Sequence, residues 1–107
     1  MMELVIKRER QGDGKTLKGY ELGNYEVSVI TYDSGYQYLT IRTDRRNRYQ
    51  PEIYPREDGE GNVIGFDIQT TSYGALQSDQ IRKVIEAMEE AIKAVDVLTE
   101  AFVKEVG

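Results

Sequence analysis

The sequence predicts an α+β fold: an antiparallel β-sheet of five or six strands with one long C-terminal α-helix packed across one face. Three observations lead to this expectation. Apolar and polar residues alternate in short runs over residues 3–70, and clusters of Gly, Asn, Asp and Ser punctuate those runs. After Leu76 the apolar period lengthens to three and four, with no Pro or Gly between residues 79 and 106. The 107 residues suit one domain spanning 1–107, because two well-packed cores need more chain.

Glu3 to Glu9 reads as the first strand, with Leu4 and Ile6 alternating against Glu3, Val5 and Lys7. Gln11-Gly-Asp-Gly-Lys15 breaks it with turn chemistry, and a short strand from about Leu17 to Leu22 follows. Gly23-Asn24 turns the chain into Tyr25 to Asp33, where Val27 and Val29 oppose Glu26 and Ser28. Ser34-Gly35 fits a tight hairpin leading to Tyr36–Thr43, which places Leu39 and Ile41 on one face and Tyr36, Tyr38, Thr40 and Arg42 on the other. Asp44 to Tyr49 is too polar for a buried strand and is expected to protrude as a loop. The two prolines of Pro51-Glu-Ile-Tyr-Pro55 confine that segment to an edge or a strand start. Asp58 to Asn62 is a further loop, and Val63 to Thr70 sets Ile64, Phe66 and Ile68 against Asp67 and Gln69.

The helix is expected over about 79–105, with Ser78 as N-cap and Asp79 adding negative charge to the first turn. Ile81, Ile85, Met88, Ile92, Val95, Leu98 and Phe102 form the stripe expected to face the sheet, widened by Val84 and Ala91. The spacing 81, 88, 95, 102 is also heptad-like, so a second copy of the chain is an alternative partner for part of that stripe.

Composition narrows the chemistry. There is no His and no Cys, which removes zinc sites, His-dependent triads and disulfides. Ser34, Ser72 and Ser78 lack a base, and the glycines form no phosphate-cradling motif, so no enzyme and no cofactor is expected. The apolar runs are too short to span a membrane, and Glu3 and Lys7 interrupt any secretory h-region, so the expected address is cytoplasmic. The net charge of −5 is uneven: residues 1–50 hold nine Lys/Arg against seven Asp/Glu, whereas residues 51–107 hold five against twelve.

Two groups of residues stand out as a binding surface. Eight Tyr, with no Trp and two Phe, include Tyr36, Tyr38 and, across the hairpin, Tyr25, expected on the sheet face away from the helix. Exposed phenols there serve either as an interface or as cross-strand pairs that stabilise a wet sheet face. Arg42, Arg45, Arg46 and Arg48, followed by Tyr49, put four guanidiniums and an aromatic ring at a hairpin tip, suited to an acidic protein surface or to phosphates. The net negative charge argues against a dedicated nucleic-acid binder. An alternative surface is the acidic face of the helix, Glu86, Glu89, Glu90, Asp96 and Glu100, set against a basic partner. Ordinary solvated or salt-bridged surface charge is the commoner reading of both the Arg tip and the helix acids. No metal ligand set is evident.

The joint FDIQTTSYGAL, followed by IRKVIEAMEEAIKAVDVLTEAF, resembles small uncharacterised proteins of Firmicute phages and integrative elements, a group that includes anti-CRISPR inhibitors. The resemblance covers residues 66–102 and rests on a structural corner. It implies a non-enzymatic inhibitor that binds an RNA-guided nuclease and blocks target DNA, and it assigns no binding residue. The expected partner is therefore a protein, with a CRISPR nuclease as the specific candidate. A nucleic-acid accessory protein using the Arg loop and a structural homodimer are the other two readings.

Overall fold

The computed structural model describes residues 2–43, 48–70 and 72–103. Six strands, β1 (Val5–Gly12), β2 (Lys15–Leu22), β3 (Tyr25–Tyr32), β4 (Gln37–Thr43), β5 (Glu52–Glu57) and β6 (Val63–Gln69), precede one helix, α1 (Ser78–Phe102). The α+β class and the antiparallel pairing are as expected. The single sheet is not: β1-β2-β3-β4 form a four-stranded meander and β5-β6 a separate hairpin. β4 and β5 are neighbours in space without a shared ladder. Pro55 lies inside β5 and brings no N–H, which suits it to a two-stranded ribbon in which both strands are edges.

Short-range patterning set the hairpins. β2 and β3 pair without interruption from Lys15↔Tyr32 to Leu22↔Tyr25, and β3 and β4 from Tyr25↔Thr43 to Thr31↔Gln37. β1 extends to Gly12, beyond the expected end at Glu9, because the turn closes only on residues 13 and 14. The Asp58 loop is an Asx-type turn: one carboxylate oxygen accepts from the Glu60 and Asn62 amides at 2.8 and 3.0 Å. These donors hold the Asp58 carboxyl below its ordinary range.

The core forms where the inner face of the meander meets the β5-β6 hairpin and α1. Leu22, Tyr25, Val27, Val29 and Leu39 come from the meander, Ile53 and Phe66 from the hairpin, and Ala91, Ala94 and Leu98 from the helix. Tyr25 is completely buried, and its hydroxyl donates to the Pro51 carbonyl at 2.8 Å, tying the start of β3 to the segment before β5. Burial pushes its phenol up to about 12. Two turns are joined to other elements by close approach at glycine. Gly23 has φ +58°, and a Cβ there would sit 2.7 Å from a Glu90 oxygen. That same carboxylate accepts from the Asn24 amide at 2.7 Å and the Asn24 side chain at 2.9 Å, so Glu90 locks the β2-β3 turn onto α1. Gly61, at φ +82°, lies under the Tyr36 ring, which clasps the β5-β6 turn to the β3-β4 turn.

The helix is C-terminal as expected, but it packs chiefly on β6 and β5 in place of crossing one broad sheet, and its rotation differs. It starts one residue early, with Gln77 as N-cap and the Gln80 side chain accepting from the Gln77 amide at 2.9 Å; Ser78 is already helical. It ends at Phe102, short of the expected 105, with Val103 extended and residues 104 and 105 outside the described residues. Its buried side chains are Ala87, Ala91, Ala94 and Leu98. Ile81, Ile85 and Ile92, expected to face the sheet, are 46, 52 and 55% exposed. Aromatic and branched residues from the sheets supply the bulk of the interface, so the helix turns its small residues inward and approaches closely, leaving the larger aliphatics outside.

Candidate binding face

Among the described residues, none forms a second layer over the outer face of the four-stranded sheet. Because residues directly opposite in an antiparallel ladder share a face, the register orders that face into rows. One row crosses all four strands as Arg10, Leu17, Ile30 and Tyr38. The next contains Arg8, Gly19, Ser28 and Thr40, and the third Val5, Glu21, Glu26 and Arg42. On the other side of the first row, Lys15 stands opposite Tyr32. Strands about 4.8 Å apart make each four-residue row roughly 14 Å wide.

The first row is an apolar band with a cation at its end. Leu17 and Ile30 are half-buried by their neighbours, and Tyr38 is 49% exposed. The second row is recessed, since Gly19 has no side chain and Ser28 a short one. Together with Lys7, Arg8, Glu21 and Glu26 they line a shallow hollow of about 270 Å³. The Arg8 guanidinium folds over Gly19, 3.3 Å from where a Cβ would stand. Lys7 bridges to Glu21 at 3.3 Å across the rim of the hollow. Face and edge are locally basic: β1 and β2 with their turn hold five Lys/Arg against three Asp/Glu, whereas α1 holds three against six.

The outer face of the β5-β6 hairpin is different. Tyr54 donates to Glu52, which raises its phenol, and Arg56 lies over Gly65 and bridges to Asp67 at 3.1 Å. Glu52, Tyr54, Arg56 and Asp67 are thus partnered within the hairpin, so less of that surface is available to a ligand.

The structure divides the residues singled out from sequence. Tyr38 and Arg42 lie on the outer face as expected. Tyr36 lies at the end of the same face, beyond Tyr38: its ring packs on the outer-face Tyr32, with centroids 5.8 Å apart, and its edge also meets Gly61. Tyr25, expected beside them, is a core residue on the opposite face. Its parity with Val27 and Val29 was the signal that places it there. Arg45 and Arg46 lie outside the described residues. Arg48 stacks over Tyr49, 5.1 Å from the ring centroid, and Tyr49 packs against Tyr73, whose hydroxyl donates to the Tyr49 carbonyl at 2.9 Å. Tyr49 and Gln50 also border a hollow with Lys83, Glu86 and Glu90 of the helix, so this end of the Arg loop is a helix-side feature separate from Tyr38. Sequence reasoning missed Arg8, Arg10, Leu17 and Ile30; parity with Val27 and Val29 was enough to assign Ile30, whereas Leu17 beside Lys18 reads as core-facing and is placed outside only by the β2-β3 register.

Among the acidic residues, Glu86, Glu89 and Glu90 line one hollow with Lys93, and Glu90 is committed to the Asn24 turn. Asp96 and Glu100 continue this side of the helix, interrupted by Lys93, which gives a mixed face in place of a continuous acidic one. Among the described residues no three acidic side chains converge closely enough to hold a metal ion, and no helix is long and apolar enough to cross a membrane. No family model, curated protein or solved structure matches the chain.

Proposed function

We propose that this chain is a non-enzymatic protein-binding module whose working surface is the outer face of the four-stranded sheet. The observation that supports this most is the band of Leu17, Ile30 and Tyr38, flanked by Arg10 and bordered by the Arg8 hollow and Arg42, on a sheet face that no second layer covers among the described residues. Such a mixture of stiff aromatic, aliphatic and guanidinium groups is the composition of interface centres. It fits a partner with an apolar patch edged by carboxylates. In the setting implied by the resemblance to mobile-element proteins, the partner is an RNA-guided nuclease and the outcome is inhibition of DNA cleavage.

The test is to mix the chain with a panel of purified CRISPR nucleases, follow cleavage and look for a complex on gel filtration. Inhibition by a stable complex supports the proposal; neither inhibition nor complex with any member rejects the nuclease as partner. A nucleic-acid reading is favoured by one observation, the coincidence of Arg8, Arg10, Lys15 and Arg42 with Tyr38 on a single sheet face. Binding to single-stranded DNA or RNA that weakens steeply with salt, and is lost when those four cations become Ala, would replace the protein partner with a nucleic acid.

A further inference from the structure

We propose that the exposed aliphatic stripe of α1 is a self-association surface, on which a second copy of this chain lays its own α1 in the antiparallel direction. Ile81, Ile85 and Ile92 are each about half exposed, and Met88 and Val95 lie partly covered between them and the core. The stripe is distinct from the Ala87, Ala91, Ala94 and Leu98 face that packs inward. Ile81, Met88 and Val95 are spaced by seven, as are Ile85, Ile92 and Thr99, which is the alternation of a two-helix seam. The chain is also more extended than a compact domain: its radius of gyration is 15.4 Å, against about 13 Å expected for this length.

Charge selects the occupant and its direction. In an antiparallel pair the seam residues meet as Ile85 with the partner's Val95 and Met88 with the partner's Ile92. Residues on one flank of the seam then face the same flank of the other helix. Arg82 consequently meets the partner's Asp96, a contact that occurs twice by symmetry. A parallel pair would instead set this flank against the opposite flank of the partner, with Glu89 facing the partner's Val84 and Asp96 the partner's Ala91, and would form no charge pair. In the antiparallel pair Glu89 falls on the two-fold axis facing its own copy, a repulsion that weakens the pair. A 25-residue helix is about 37 Å long, and a seam about 10 Å wide buries about 400 Å² on each copy, half of a standard interface. Such a small contact makes the dimer weak and concentration-dependent. It uses the side of the molecule away from the outer sheet face, so each dimer would offer two such faces to a partner, although self-association does not depend on that proposed function.

The experiment is sedimentation velocity on the full chain across the micromolar to submillimolar range, with cysteine crosslinking as a second readout in a protein that contains no Cys. A reversible monomer-dimer equilibrium is expected. I92E should abolish it while leaving the circular dichroism spectrum intact, and E89Q should tighten it several-fold. R82E should weaken it about tenfold, with R82E/D96R restoring it. E89C should form a disulfide dimer readily and R82C should not. A monomer throughout that range, a dimer that survives I92E, no restoration by the charge swap, or equal crosslinking at the two positions would overturn the proposal. The crosslinking pair leaves the stripe unchanged, so it decides the matter even if I92E lowers stability.

Discussion

Replacing Tyr25 by Phe removes one oxygen atom and leaves the ring in place, and its cost can be worked from two independent features. The hydroxyl is buried and donates to the Pro51 carbonyl at 2.8 Å, in a segment that is itself buried. Removing the donor strands that carbonyl, which costs about 1–2 kcal/mol at neutral pH. For a domain of this size the melting temperature should fall by about 5–15 °C. The second feature is the phenol pushed up to about 12 by burial. The unfolded chain gives up this proton near pH 10, so above that pH the unfolded state binds fewer protons than the folded one and stability falls as pH rises. The contribution is complete below about pH 10 and is lost through about pH 12; a gap of two units corresponds to roughly 2–3 kcal/mol. Urea unfolding of both chains at closely spaced pH values measures the two effects together. The Tyr25→Phe chain should be less stable at pH 7 and should lose less stability between pH 10 and 12, so the two curves converge. Equal stability at pH 7 together with parallel alkaline limbs would refute the burial and the hydrogen bond alike.

Other substitutions probe the packing of α1. Ala91→Leu forces bulk into a fully buried site and should cost about 1–3 kcal/mol, whereas Ile85→Ala, on the exposed stripe, should cost under about 1 kcal/mol when measured at dilute concentration by denaturant titration. Glu90→Ala removes both acceptor contacts to Asn24 and should cost about 1 kcal/mol, with faster amide exchange confined to the β2-β3 turn. Gly23→Ala should cost more than that, because the positive φ and the 2.7 Å approach to Glu90 must both be relieved; thermal melts of the two variants give the order.

The parts of this fold that were legible in the sequence are those decided within a few residues. Strand alternation and turn residues placed the strands within a few residues of their observed ends. The division into two sheets was not legible, because whether β5 pairs with β4 depends on a long-range fit that alternation does not encode. The helix rotation was obscured by two apolar stripes on one helix. Hydrophobicity favours the Ile stripe, but the space left by Tyr25, Ile53 and Phe66 admits the Ala stripe. The same limit applied to the candidate site. Tyr38 and Arg42 followed from parity with their own strand neighbours, while Arg8 and Arg10 joined them only through the register of β1 on β2, which a bulge between Ile6 and Arg8 shifts.

The most direct test of the outer sheet face as the working surface is a cleavage assay that compares the unmodified chain with two variants, Tyr38→Glu/Arg42→Glu on that face and Ile92→Glu on the helix. Both variants alter exposed side chains and should remain folded by circular dichroism. The expected result is inhibition of an RNA-guided nuclease by the unmodified chain and by Ile92→Glu, with inhibition lost in the sheet-face double variant. Inhibition that survives the sheet-face substitutions, or that disappears only with Ile92→Glu, would contradict it.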